Sequence, residues 1–474
     1  MRFLLGKVTE IKNEKGVFVT AGREKKKKKG LVLLVLILAI LVIAAVWVFP
    51  RLEKEAPTVT FEGLKTAVGD SSEFSVKVSD HKSGLKRVSV TLLADGKDHV
   101  LAEYADTGTR EAAVHEKVFD IALTPKKMGV PDGKALVRVL ARDYSWRHFL
   151  KGNQIYIEKE VAIDTHKPEV EVLSRQHYIN QGGAGVVVYR IFEPDVTHGV
   201  MVGDDFFPGY AGQFADNNIC LAFFAVAQDQ PADTSLLVSV TDQAGNVTRA
   251  GFYHLIKNKS FAKDRITISD TFLNAKMPEF DVPGDVARPI DKFKIINSDM
   301  RARNNATIRS LCGQSDNRMY WQGAFLRFPN SAPRAGFADH RSYVYNGQII
   351  GQAVHMGIDL ASTANSPVPA ANAGRIAFTG SIGIYGRTVI IDHGLGLFSL
   401  YSHLSHIAVS ESQMVEKGEI IGRSGMTGLA GGDHLHYGML IHDTFVNPIE
   451  WWDASWIANN VSARFEAFQQ ALTE

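Results

Sequence analysis

Twenty consecutive residues without a charge, GLVLLVLILAILVIAAVWVF at 30–49, follow directly on the five lysines Lys25–Lys29. At about 1.5 Å per helical residue this run spans the roughly 30 Å hydrocarbon core of a bilayer. A soluble helix is rarely apolar on every face and flanked by such a block. The lysines should stay in the cytoplasm, which puts everything after Pro50 outside the inner membrane. The basic leader is long, the apolar run is long, and no small-x-small site follows Phe49, so an uncleaved anchor fits better than a removed signal peptide. The expected topology is single-pass, with a cytoplasmic tail over 1–29, a transmembrane helix over 30–49 and a periplasmic or extracytoplasmic remainder.

Charge agrees with that division. The 474 residues include 52 basic and 51 acidic side chains, a net of +1, which suggests no nucleic-acid partner. Residues 1–29 hold ten basic and three acidic side chains, so the rest of the chain is near −6. Two cysteines, Cys220 and Cys312, fall in the oxidising compartment, where they either pair or sit as buried thiols.

Beyond the linker RLEKEAP the chain reads as mainly β. TVTFEG, SEFSVKVSD, KRVSVTLLAD and KALVRVLARDYS alternate apolar and polar residues between turn residues, the pattern of a sandwich with one wet face. A diverged repeat runs through this region: APTVTF at 56–61 is echoed by KPEVEV at 167–172, and VRVLARDYS at 137–145 by LVSVTDQAGN at 237–246. The second pair resembles the last strand and turn of bacterial immunoglobulin-like modules. Two such modules are therefore expected, over 56–165 and 166–257, in preference to one long β domain. Neither gathers catalytic groups, so both read as spacers or binding surfaces.

Residues 258–330 change character. Ile290, Phe293, Ile296 and Met300, then Ile308 and Leu311, recur at helical spacing, which predicts a helical connector packed on the next domain. Lying just upstream of that domain, it is well placed to occlude a site there. Short glycine-punctuated strands return over 331–452, and the tail 453–474 reads as an amphipathic helix with Trp456, Val461, Phe465 and Phe468 near one face.

Eight of the sixteen histidines lie between 340 and 442. In HLHYGML, His434 and His436 sit two apart in a strand pattern and share a face, so one can hold a metal while the other reaches that metal's ligand. In HMGIDLA, a straight strand would hold His355 and Asp359 about 13 Å apart, too far for ligands that must each come within about 2.0–2.2 Å of one zinc. The chain must bend, and Gly357 permits it. Two imidazoles and a carboxylate with a fourth position open to water describe a catalytic zinc site, since structural sites prefer cysteine. His403, in LYSHLS, is the remaining candidate, a neutral imidazole able to take a proton from water and return one to a leaving amine. His340, His393, His406 and His442 read as ordinary surface or core residues.

HMGIDLA, YSHLS and HLHYGM resemble the three signature segments of the lysostaphin/LytM-type zinc metalloendopeptidases, in family order over 331–452. The flanking GFADHRSYVYNG, SPVPAANAGRIAFTG, VEKGEIIGRSGMTG and VNP are similar too. The resemblance implies that His355, Asp359 and His436 bind Zn2+, that His403 and His434 are the paired catalytic histidines, and that the substrate is cell-wall peptidoglycan. It also implies a small β domain with an open groove. Gly432-Asp433 departs from the usual Gly-Pro before the last pair, and Tyr437 replaces the usual Phe. The fold class expected is thus mainly β: a transmembrane helix, two immunoglobulin-like β-sandwich modules, a helical connector and a C-terminal LytM-type β domain. The alternative function is a non-catalytic LytM-type regulator that activates another wall hydrolase, though such domains typically lose the ligands that this one keeps. A third, an adhesion protein working through its β modules, leaves the metal set unexplained.

Overall fold

The computed structural model describes residues 24–108, 113–284 and 286–469. Residues 1–23 of the basic tail and 470–474 of the expected terminal helix lie outside the described residues. The chain divides into two compact units, Met1–Thr165 and His166–Glu474.

The first unit opens on a helix, Glu24–Val48. Its segment Leu31–Val48 has mean hydropathy 3.4, and none of its residues is buried inside the protein. It is the one helix among the described residues long and apolar enough to cross a membrane, and as the core of a soluble fold it would have nothing to face. A short turn, Phe49–Leu52, leads into two sheets. One orders Thr58–Glu62, Ser72–Ser79 and Glu116–Leu123; the other orders Ala67–Val68, Gln154–Ile163, Gly133–Asp143, Leu85–Ala94 and Lys97–Ala105. Alternation decides what is inside. Val76, Val78, Val88, Val90, Leu92, Val137 and Val139 are fully buried, while their neighbours along each strand face out.

The second unit carries a pair of four-stranded sheets, each built around an inner antiparallel pair: Ala184–Ile191 with Ile219–Ala225, and Thr197–Val202 with Leu236–Thr241. Every residue of Ile219–Ala225, sequence ICLAFFA, is buried. A strand that is apolar throughout needs cover on both faces, and Phe223 finds it in the rings of Trp321, Trp451 and Phe465. One hydrophobic core therefore runs from these sheets through the connector to the C-terminal strands. Cys220 and Cys312 both lie in it as free, buried thiols.

The echo between the two β regions has a hydrogen-bond counterpart. Asp143 accepts the backbone N–H of Asn153 at 2.7 Å and its side-chain amide at 2.8 Å. Asp242 does the same for Asn246, at 2.8 and 2.7 Å. In each case the asparagine amide also reaches back to the segment entering that region, Glu53 O and Glu55 O for Asn153 and His166 O for Asn246.

Residues 258–330 are not helical throughout. Lys263–Thr267 is a strand, pairing in parallel with His340–Tyr345. Its sequence KDRIT buries only alternate positions in part, so composition gives little sign of it. Helices follow at Asp270–Lys276, Pro289–Ile295 and Arg301–Leu311, the last two joined by a widened turn at Ile296–Met300. Phe293, Ile296 and Ile308 are buried. The C-terminal sheet orders Ala332–Ala335, Ile358–Ala361, Leu435–Ile441, Leu397–Leu404, Gly386–Gly394, Gly374–Ile382 and Met414–Val415, with Thr444–Val446 beside Leu435–Ile441. After it the chain forms Pro448–Trp452, Ala454–Ile457 and Ala463–Gln469. A second widened turn at Ala458–Ser462 interrupts the terminal helix.

Candidate metal centre

Sheet register assembles the site. Asp359 pairs with His436, and His436 with Ser402 one residue before His403. His355 precedes this ladder and is fixed by two backbone bonds, His355 N–H to Asp339 O at 3.0 Å and Ala338 N–H to His355 O at 2.7 Å. The chain turns between His355 and the strand Ile358–Ala361, at Gly357. The reason for glycine there is space more than curvature. A Cβ would lie 2.6 Å from two atoms of the His436 ring and 2.7 Å from Tyr437 O.

His355 Nε2, Asp359 Oδ1 and His436 Nδ1 lie 2.9 Å from one another. His355 Nδ1 is 2.7 Å from Gly336 O. A carbonyl only accepts, so Nδ1 carries the proton and Nε2 turns its lone pair inward. Three buried acceptors that converge in this way repel unless a cation or protons lie between them. A point about 2.0–2.1 Å from all three, the zinc–nitrogen distance, exists above their plane. The residues fit a metal, and a set of two imidazoles and one carboxylate with no thiolate suits zinc.

His403 and His434 complete the cluster. Their ring centroids are 4.8 Å apart, and that of His403 is 5.8 Å from His436. Each donates Nδ1–H to a carbonyl, Thr427 O and Gly432 O, both at 2.8 Å. Each therefore leaves Nε2 as its remaining nitrogen; that of His434 lies 3.6 Å from Asp359 Oδ1. His403 has φ +61°, a left-handed backbone rare for a residue with a side chain.

Burial disfavours charge here, and the neighbours decide the outcome. It lowers His403 well below the usual imidazole range, reinforced by His434 and His436, and takes His436 down to about 4. Burial also pushes the Asp359 carboxyl up, but the imidazoles of His355, His434 and His436 around it outweigh burial, leaving Asp359 well below the usual carboxylate range. For His434 the Asp359 carboxylate outweighs burial and raises it.

The cluster lines a cavity of about 460 Å³ whose other walls include Phe272, Phe293 and Arg301 of the 258–330 segment. Sequence reasoning passed over Arg341, whose Nη2 donates to Asp359 Oδ2 at 2.8 Å. Its signal was a lone cation in the strand HRSYVY. His393 and His442 are buried, His393 against Ala373 O and Ser399 Oγ and His442 stacked on Tyr210, while His340 and His406 are exposed.

Residues 353–448 match Peptidase family M23. Over 96 residues the chain is 44% identical to the DD-carboxypeptidase/endopeptidase Mpg of Neisseria meningitidis serogroup B, covering 20% of this chain and 22% of that protein. Over 132 residues it is 33% identical to the peptidoglycan DD-endopeptidase ShyA of Vibrio cholerae, covering 27% of this chain and 30% of that one. The solved catalytic domain of the antimicrobial peptidase lysostaphin from Staphylococcus simulans is 27% identical, covering 26% of this chain and 92% of that chain with a TM-score of 0.23. The chain thus spans less than a third of the length of either curated relative.

Proposed function

We propose, from the membership of residues 353–448 in Peptidase family M23, that this chain is a membrane-anchored zinc endopeptidase hydrolysing peptide bonds of cell-wall peptidoglycan. The observation that carries the reading is the 2.9 Å triangle of His355 Nε2, Asp359 Oδ1 and His436 Nδ1, with two further imidazoles beside it in one cavity. The curated relatives' names, a DD-carboxypeptidase/endopeptidase and a peptidoglycan DD-endopeptidase, support the substrate class. They favour a hydrolase over the non-catalytic regulator.

His355, Asp359 and His436 would hold the metal. A zinc ion bound there supplies Lewis acidity, polarising the scissile carbonyl and making water more acidic. Arg341 occupies Asp359 Oδ2, which keeps Oδ1 turned to the triangle. The carbonyls behind His403 and His434 hold each Nδ1–H, which leaves Nε2 as the nitrogen of each that can exchange a proton. One takes the proton of the attacking water and passes it to the leaving amine; the other donates to the oxygen on which charge develops. The helix Leu31–Val48 anchors the chain in the inner membrane, and the two β regions act as immunoglobulin-like spacers or as surfaces for wall proteins.

The test is metal content and muropeptide release on one sample. The expected result is about one zinc per chain in the wild type, lost in His436→Ala but kept in His403→Ala, with cleavage of purified peptidoglycan lost in both. Wild type that binds no zinc and cuts nothing would sink the proposal.

A further inference from the structure

The loop that follows the strand Gly133–Asp143 is built oddly for a soluble surface. His148, Phe149 and Leu150 have φ of +50°, +57° and +64°, one full turn in the left-handed region. Side chains visit that region as single residues, not in succession. The turn throws Phe149 out to 99% exposure and Leu150 to 64%. Arg147, His148 and Lys151 flank them. The base below is rigid, since Asp143 accepts Ser145 N–H at 2.9 Å and Asn153 N–H at 2.7 Å. A stiff base that presents an apolar tip between the cations Arg147 and Lys151 is not loop slack.

What lies beside it identifies the partner. Trp146 packs edge-on against Trp47, with ring centroids 5.2 Å apart. Arg51 sits over both rings, at 3.9 and 5.5 Å. Trp146 N–H donates to Arg51 O at 2.7 Å, and Arg147 Nε to Leu52 O at 3.1 Å. Trp47 belongs to the last turn of the apolar segment Leu31–Val48. Eighteen helical residues span about 27 Å, so a bilayer uses the whole segment and its end lies at the interface, where tryptophan and arginine are at home. Trp146 shares that depth. Phe149 follows three residues later, within about 10 Å of chain.

We infer that the loop Trp146–Lys151 seats on the outer surface of the membrane that holds the helix, with Phe149 and Leu150 entering the headgroup–acyl boundary and Arg147 and Lys151 pairing with anionic phospholipid headgroups. Two apolar side chains are far short of the roughly 800 Å² that each side of a stable protein interface buries, but they suit shallow insertion into lipid. The inference rests on the anchored reading of the helix. It adds a second attachment, which would fix the tilt of the first β region over the lipid.

The test uses the full chain in phosphatidylethanolamine–phosphatidylglycerol vesicles. An environment-sensitive fluorophore is placed at Phe149→Cys, at Leu150→Cys and, as a control, at Lys134→Cys, whose native side chain is 87% exposed. Lys134 lies at the other end of the same strand, about 30 Å from Asp143. Cys220 and Cys312 are buried and leave the labels unambiguous. The expected result is a blue shift and quenching by brominated acyl chains at 149 and 150, several-fold stronger than at 134. Chains that float with the vesicles but show positions 149 and 150 as open to aqueous iodide as 134 would overturn the loop inference and leave the anchor standing. Shielding from both iodide and bromolipid would mean a protein covers the loop, and would also overturn it. Chains that fail to float would overturn the anchor and the loop together.

Discussion

Arg341 and Asp359 show how much of a metal site lies behind its ligands. With Oδ2 held by the guanidinium, Asp359 has one oxygen for the metal and one fixed direction for it. Arg341→Ala should leave the carboxylate free to rotate and weaken metal affinity about 10–100-fold, read by chelator competition. Arg341→Lys should recover only part of the loss, because one ammonium cannot reproduce the fork. Gly357→Ala tests crowding instead: its methyl would enter the space of the His436 ring, so bound metal should fall together with thermal stability. That His434 and His436 share one face was legible from strand spacing alone, whereas the grouping of His355, Asp359 and His403 with them came from the resemblance of the three segments. Arg341, the crowding at Gly357 and the left-handed backbone of His403 were not legible, because each depends on a neighbour distant in the chain.

Among the elements, Ile219–Ala225 was legible as a strand, but its burial on both faces required knowing that Trp321, Trp451 and Phe465 return to it. Phe223→Ala should cost about 3–5 kcal/mol, measured by urea unfolding. The strand Lys263–Thr267 went unread because KDRIT is mostly polar and finds its partner some eighty residues later. Glu450, in the helix Pro448–Trp452, ties this region to the β sheets: Asn180 Nδ2 donates to Oε1 at 2.6 Å and Ala184 N–H to Oε2 at 3.0 Å. Burial raises its carboxyl to about 6 from 4.5, against the opposing pull of those bonds and of Lys259. Between those values the folded chain binds the proton and the unfolded chain has released it, so this group's contribution to stability falls as pH rises from about 4.5 to 6. The loss should approach about 2 kcal/mol. Tm followed across that window should show the decline in the wild type and a shallower one in Glu450→Gln.

For the molecule as a whole, the sequence made the apolar span and the general β character plain, since both rest on runs and alternations within a few residues. It did not reveal that a single core joins the β sheets from Val170 onward to the connector and the metal-bearing sheet, because that depends on which faces meet. Membranes carrying the full chain and washed at alkaline pH should retain it, whereas a chain lacking residues 30–49 should be released.

Both thiols are free and walled in, and burial pushes Cys220 up to about 11 and Cys312 higher still. Thiolate, the species that reacts with oxidants, is therefore scarce at either position. Maturation of this chain needs no disulfide-forming partner. Its melting temperature should be the same with and without reductant, and the folded protein should survive oxidative stress that inactivates secreted enzymes dependent on exposed sulfur.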